Sequence, residues 1–256
     1  MATSNPAFNN SPAFSERVST AAKLTRSTTP STEGMTAQQQ TDMYSQPSAT
    51  PAQTDRMSYE DTMVKIVVSF AILLVGAAVG WFVPVLAIPA LIVGFVLALV
   101  NIFKKKPSPT LVLSYAAVEG VFVGAVTMFF ETLYPNIAVQ AVIGTLVVVG
   151  VTLALFASGK VRASKRATKV FLIAMVGYGV FSLVNLVLMA TGVTTDAFGL
   201  RSAPIFGVPL GVILGVLVII MAAYSLVLDF DSIKTGVQRG APRVYGWTAA
   251  FGIMVT

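Results

Sequence analysis

Six long apolar runs, all beginning after residue 65, constrain this sequence more than any other feature. Each run has roughly 18 to 24 residues, enough to cross a hydrocarbon core of about 30 Å as a helix that rises about 1.5 Å per residue. In lipid every backbone amide must find its partner within the segment, so we predict helices. A β-barrel would instead alternate apolar and polar residues over segments of about ten. The runs are 66–83, 85–103, 110–130, 137–157, 170–192 and 205–228.

The two ends of the chain differ from this pattern. Residues 244–256 form a seventh apolar run of only 13 residues, about 20 Å as helix and too short to span. We expect a partial seventh helix in a truncated chain; a short re-entrant or interfacial helix is the alternative. Residues 1–62 are rich in Ser, Thr, Gln, Pro and Ala, which predicts a disordered tail. Ser58, three residues before Asp61, is a candidate cap for the first helix.

The predicted fold is therefore an all-α membrane protein. We expect a polytopic helical bundle of six full transmembrane helices plus a partial seventh over residues 63–256, with a disordered N-terminal tail. Charged residues are 11% of the chain, against about 25% in soluble domains, so most of its surface faces something other than water.

Basic residues are distributed unequally between the predicted loops. Arg201 is the single basic residue on one side, against eleven on the other, which places the tail in the cytoplasm. We expect an integral membrane protein whose net charge of +6 serves contact with anionic lipid headgroups and not with nucleic acid. The eleven are Lys104, Lys105, Lys106, Lys160, Arg162, Lys165, Arg166, Lys169, Lys234, Arg239 and Arg243.

The chain contains neither cysteine nor histidine. This excludes disulfides, thiolate catalysis, Ser-His mechanisms and His-based metalloprotease sites. An intramembrane aspartyl enzyme would need two facing acids from different helices, and this chain lacks the Gly-x-Gly-Asp signature of such enzymes. We therefore expect that the protein is not an enzyme. We also expect no cofactor, apart from calcium in transit.

Ionisable residues within the spans are the candidate functional residues, because charge is costly in lipid. Glu119 lies in the middle of the third run and Asp229 lies at the cytoplasmic end of the sixth. We assign both to an ion pathway, with Glu119 as the candidate calcium ligand, since calcium prefers oxygen ligands. Asp231 is a secondary candidate. It points about 200° away from Asp229 on a helix, so the two cannot share one site.

Other residues in the spans are expected to serve packing. Tyr178, Asn185 and Tyr224 are predicted to hydrogen-bond between helices. Glycines at spacing four near the sixth run predict a close helix contact. These glycines are Gly207, Gly211 and Gly215.

Several of these segments together resemble a known family. Leu113–Gly124 (LSYAAVEGVFVG), the basic loop after the fourth run and Leu228–Ile233 (LDFDSI) are similar to the bacterial branch of the Bax inhibitor-1/YccA-like family. The resemblance covers roughly residues 58–256, and Ser4–Phe8 (SNPAF) is similar to the tail of some bacterial members.

The resemblance implies a fold of seven helices, six around a central one, and for some members a pH-sensitive calcium leak. In those members a buried pair of acids from helices six and seven shares a proton and gates the pore. Asp229 matches the acid of helix six, and the acid of helix seven has no counterpart within these 256 residues. Channel members also carry a latch arginine on the Glu-Gly helix, whereas the third run contains no arginine.

Two functions follow as hypotheses. The first is a pH-sensitive leak channel for calcium or another cation, with Glu119 in the ion path and Asp229 sensing pH. The alternative is a non-conducting regulator of a membrane protease or of membrane-protein quality control, which the long tail would suit for partner capture. A secondary transporter stays open, although no internal repeat is evident.

Overall fold

The computed structural model describes residues 36, 38, 55–160 and 162–256. Nearly all of the predicted tail lies outside the described residues. Seven α-helices follow. They are α1 Tyr59–Phe82, α2 Ala87–Phe103, α3 Pro109–Leu133, α4 Ile137–Ala157, α5 Lys165–Ala190, α6 Leu210–Gln238 and α7 Gly246–Val255.

The six long helices are apolar enough to cross a membrane, and α7, with 10 residues, is short. A 3-10 turn, Pro84–Leu86, precedes α2 and counts with it as one span. The expectation of six full membrane helices and a partial seventh is thus confirmed.

The predicted boundaries needed correction at α1, α5 and α6, and α5 begins at Lys165, five residues before the predicted run. Helix α1 begins at Tyr59, seven residues before the first apolar run. The prediction missed this start because the first turns of the helix carry polar side chains. Its predicted cap is confirmed, since the Asp61 backbone N–H donates to Ser58 Oγ at 3.2 Å.

Helix α6 begins at Leu210 and not at residue 205. The residues before it form a small antiparallel hairpin, β1 Pro204–Ile205 and β2 Val208–Pro209. Phe206 and Gly207 turn that hairpin with φ of 52° and 80°, which a helix does not allow. The helix then runs ten residues beyond the predicted end, to Gln238.

The described chain forms two compact units. One contains residues 55–129 and 232–255, and the other contains residues 130–231 and 256. The core of the first consists of Val112, Tyr115, Ala116, Phe251 and Met254. The core of the second consists of Phe171, Met221 and Leu228.

In the first unit, α1 and α3 cross closely along glycines. A Cβ on Gly124 would overlap the backbone carbonyl of Ala77, and a Cβ on Gly80 would overlap that of Val121. Small residues permit such backbone contact in membranes. Of the predicted contact glycines, Gly207 lies in the hairpin turn, and a Cβ on Gly215 would meet no atom within 4 Å. A Cβ on Gly211 would lie 3.2 Å from the backbone carbonyl oxygen of Arg201, which belongs to the loop between α5 and α6 and not to a second long helix.

In the second unit, side-chain hydrogen bonds join a loop to α4 and join α5 to α6. The Glu131 carboxylate accepts hydrogen bonds from the backbone N–H groups of Asn136 and Ala138, at 2.7 and 2.9 Å, at the start of α4. The hydroxyls of Thr168 on α5 and Tyr224 on α6 lie 2.9 Å apart, which confirms the interhelical hydrogen bond predicted for Tyr224.

Candidate functional site

Glu119, the acid predicted in the middle of a span, lies in the first unit, ten residues into α3. Its carboxylate accepts a hydrogen bond from the Tyr115 hydroxyl one turn earlier. A Cβ on Gly94 of α2 would lie 3.5 Å from Glu119 Oε2, so the carboxylate lies beside Gly94. Glu119 itself is half-buried.

Tyr115 connects this acid to the hydrophobic core. It is 5% exposed, and its ring meets that of Phe251 on α7 edge-on at 5.0 Å between centroids. The phenol thus stabilises the carboxylate with its hydroxyl and packs with its ring, which fixes the direction of the hydrogen bond. Sequence reasoning missed Tyr115, although its spacing of four residues from Glu119 puts both on one helix face.

Few side-chain ligands for a metal ion surround Glu119 among the described residues. Calcium held in a protein takes six to eight oxygen ligands. Within residues 55–160 and 162–256, no group of three or more acids could hold a metal. Glu119 with the Tyr115 hydroxyl offers few ligands, so most of the ion's coordination would come from water or backbone carbonyls.

Asp229, the second predicted residue, lies in the second unit on α6 and has no exposed surface. Its Oδ2 accepts a hydrogen bond from Thr256 Oγ1 at 2.6 Å. Thr256 Oγ1 also lies 3.4 Å from the hydroxyl of Ser225, one turn earlier on α6. Asp231 is half-buried, in keeping with the prediction that the two acids point in different directions.

A polar cluster at the start of α1 was not predicted. The ammonium of Lys65 contacts the Asp61 carboxylate and donates to the Arg243 carbonyl at 2.7 Å. Arg243 Nε donates to Asp61 Oδ1 at 2.8 Å, and this bond raises the pKa of the Arg243 guanidinium above its usual value. The nitrogen of Lys65 lies 5.7 Å from the ring centroid of Trp247.

Backbone pairing brings the same two segments together. The N–H of Met57 donates to the carbonyl of Ala241 at 2.7 Å, and the N–H of Arg243 donates to that of Asp55 at 2.8 Å. Arg56 and Pro242 form the antiparallel bridge between these bonds. Met57 is 2% exposed, so the residues before α1 are anchored on the segment between α6 and α7.

The comparison with protein families agrees with this architecture. The model described as "Bax inhibitor 1 like" matches residues 5–256. The chain belongs to the Bax inhibitor 1-like family. The predicted family is thereby confirmed, and the six apolar helices make this member a multi-pass membrane protein. No curated protein and no solved structure is significantly similar to the chain.

Proposed function

We propose that this Bax inhibitor 1-like protein is a pH-sensitive leak channel for cations, calcium foremost. The observation that carries the proposal is the carboxylate of Glu119, half-buried in the middle of a membrane helix and hydrogen-bonded by Tyr115. An ionisable group at such a depth is costly, and in membrane proteins it commonly marks an ion or proton pathway. A negative charge there lowers the barrier to a cation.

Asp229 is the proposed pH sensor. Its side chain is wholly buried and accepts a hydrogen bond from Thr256. The charged and neutral forms of such a carboxyl favour different surroundings, so gain of a proton shifts the population of conformations. In this proposal, Asp229 controls opening and Glu119 attracts the ion. The absence of histidine leaves carboxyl groups as the chain's pH-sensing groups.

We further propose that the protein lies in the inner membrane of a bacterium with its N-terminus in the cytoplasm. The unequal distribution of basic loop residues, eleven against Arg201 alone, supports this orientation. The same residues would contact anionic lipid headgroups. We propose no enzymatic activity, in keeping with the lack of histidine and cysteine.

Calcium flux into proteoliposomes, measured at several values between about pH 6 and 8, tests the proposal. We expect Glu119→Gln to lower the flux by about tenfold or more, which corresponds to about 1.4 kcal/mol of barrier. We expect Asp229→Asn to keep a flux but to remove its dependence on pH. Asp196→Asn, a change in an exposed loop acid, is the matched control and should change neither.

A folded, inserted protein without flux above that of empty liposomes would overturn the leak. That result would favour the non-conducting regulator, and association with a membrane protease would then be measured by co-purification from the membrane. Asp231→Asn tests which of the two acids of α6, Asp229 or Asp231, carries the pH response. Loss of the pH response in that variant, and not in Asp229→Asn, would move the sensor two residues along the helix.

A further inference from the structure

The segment between α5 and α6 is anchored along α5. The side chain of Asn185, 2% exposed, accepts the backbone N–H of Leu200 at 2.7 Å and donates to the carbonyl of Phe198 at 3.3 Å. Gly199 lies between them with φ of 58°, and a Cβ there would lie 2.5 Å from Asn185 Oδ1. Asn185 therefore holds the loop backbone, where an interhelical bond was predicted.

This anchoring directs Arg201 toward the middle of α5. Its Nη2 donates to Ser182 Oγ at 2.8 Å and to the Tyr178 hydroxyl at 3.4 Å. Ser182 and Tyr178 lie roughly two and three turns before the end of the helix at Ala190. A basic residue at a membrane boundary normally extends toward the headgroups, whereas this one extends along the apolar span.

Among the described residues, aromatic rings and hydroxyls, and not a counter-charge, surround the guanidinium of Arg201. Its Cζ lies 5.7 Å from the Tyr178 ring centroid and 6.0 Å from that of Phe181. Unlike Arg243, which pairs with Asp61, Arg201 forms no ion pair in the part of the chain that the structure describes. Its Nε and Nη1 groups make no hydrogen bond there, and the side chain is half-exposed.

We propose that Arg201, with Tyr178 and Ser182, forms a binding site for a phosphate group. Arginine carries five N–H donors in a planar fork that matches the oxygens of a phosphate. Nη2 is held by the two hydroxyls, so Nε and Nη1 remain to donate. The aromatic rings orient the guanidinium plane. A phosphate would supply the negative charge that the described residues do not.

The phosphate has two possible sources. One is a phospholipid of the leaflet that faces the α5–α6 loop, whose headgroup would be drawn inward beside α5, with local thinning of the bilayer. The other is free phosphate that enters from the water on that side. A lipid phosphate and a free phosphate would both bind Nε and Nη1 of Arg201. Binding measurements with a phospholipid and with inorganic phosphate therefore distinguish the two sources.

Native mass spectrometry of the full chain in detergent, with dihexanoyl phosphatidylglycerol as probe, tests the site. We expect Arg201→Gln to weaken the first lipid adduct by about tenfold or more, the effect of losing charge-assisted hydrogen bonds. Arg201→Lys should bind with intermediate affinity, because it keeps the charge without the fork. Arg56→Gln, an exposed basic residue just before α1 that is not among the eleven loop residues, should bind like the parent protein.

Competition identifies the source of the phosphate. Displacement of the lipid by inorganic phosphate would assign the site to free phosphate as well, whereas displacement by other phospholipids alone would assign it to lipid. Equal affinity of Arg201→Gln and the parent, or equal saturable binding of dihexanoylglycerol, would overturn the proposal. If Arg201→Gln does not fold, Arg201→Lys and Tyr178→Phe carry the test, and parental affinity in both would be equally decisive.

Discussion

The first turns of α1 hold a buried lysine whose counter-charge can be removed with little change of shape. The Lys65 side chain is 10% exposed and pairs with Asp61. Asp61→Asn keeps the size of the side chain and removes its charge. Loss of one partner of a buried pair costs about 3 to 5 kcal/mol. Lys65 would keep the Arg243 carbonyl and the Trp247 ring, so we expect a loss of about 3 kcal/mol in the free energy of unfolding.

The second cation on Asp61 predicts a much smaller effect. The Arg243 side chain is 51% exposed, so water and salt already weaken its attraction to the carboxylate. Arg243→Gln should therefore cost far less than Asp61→Asn. Glu60→Gln is the matched control, because Glu60 is an exposed acid of the same turn with no ion pair among the described residues.

Unfolding in mixed micelles with increasing dodecyl sulfate measures all three variants. Trp247 fluorescence reports the cluster directly when Trp81, the other tryptophan, is replaced by phenylalanine. Equal losses in Asp61→Asn and Glu60→Gln would refute the reasoning. A loss in Arg243→Gln as large as that in Asp61→Asn would also refute it, since the burial of Lys65 would then not be the cause.

Two further predictions concern packing and orientation. Gly124→Ala should destabilise the protein by about 1 to 3 kcal/mol through overpacking against the Ala77 carbonyl, whereas Gly144→Ala, with no atom within 4 Å of its Cβ, should be neutral in the same unfolding assay. Since the chain has no cysteine, Phe206→Cys and Lys105→Cys each carry a single thiol. A membrane-impermeant maleimide added to intact cells should label only the first, and labelling of the second alone would reverse the proposed orientation.

Hydrophobicity was sufficient to predict the six long helices, because lipid leaves the backbone no alternative within an apolar run. It failed at the ends of α1, α5 and α6. The polar residues of the first turns concealed the start of α1 at Tyr59. The apolar hairpin Pro204–Pro209 looked like helix, since a window of hydrophobicity does not detect a turn at Phe206 and Gly207.

The candidate acids were visible in the sequence, but their partners were not. Glu119 and Asp229 stand out as charges in apolar runs, whereas Thr256 lies far from Asp229 along the chain. The contact glycines show the same limit: Gly207, Gly211 and Gly215 have the spacing of a packing motif, but spacing alone does not reveal which helix lies opposite. Arg201 was counted as a loop charge, because its direction depends on a loop anchored by Asn185.

The backbone pairing of residues 55–57 with 241–243 also constrains the topology. Two loop segments that exchange backbone hydrogen bonds must lie on the same side of the bilayer. The chain between them must therefore traverse the membrane an even number of times. Six crossings satisfy this parity, whereas five or seven do not, so a helix that only dipped into one leaflet would have to be matched by a second. The even parity of the span count thus follows from a few backbone hydrogen bonds, independently of hydropathy.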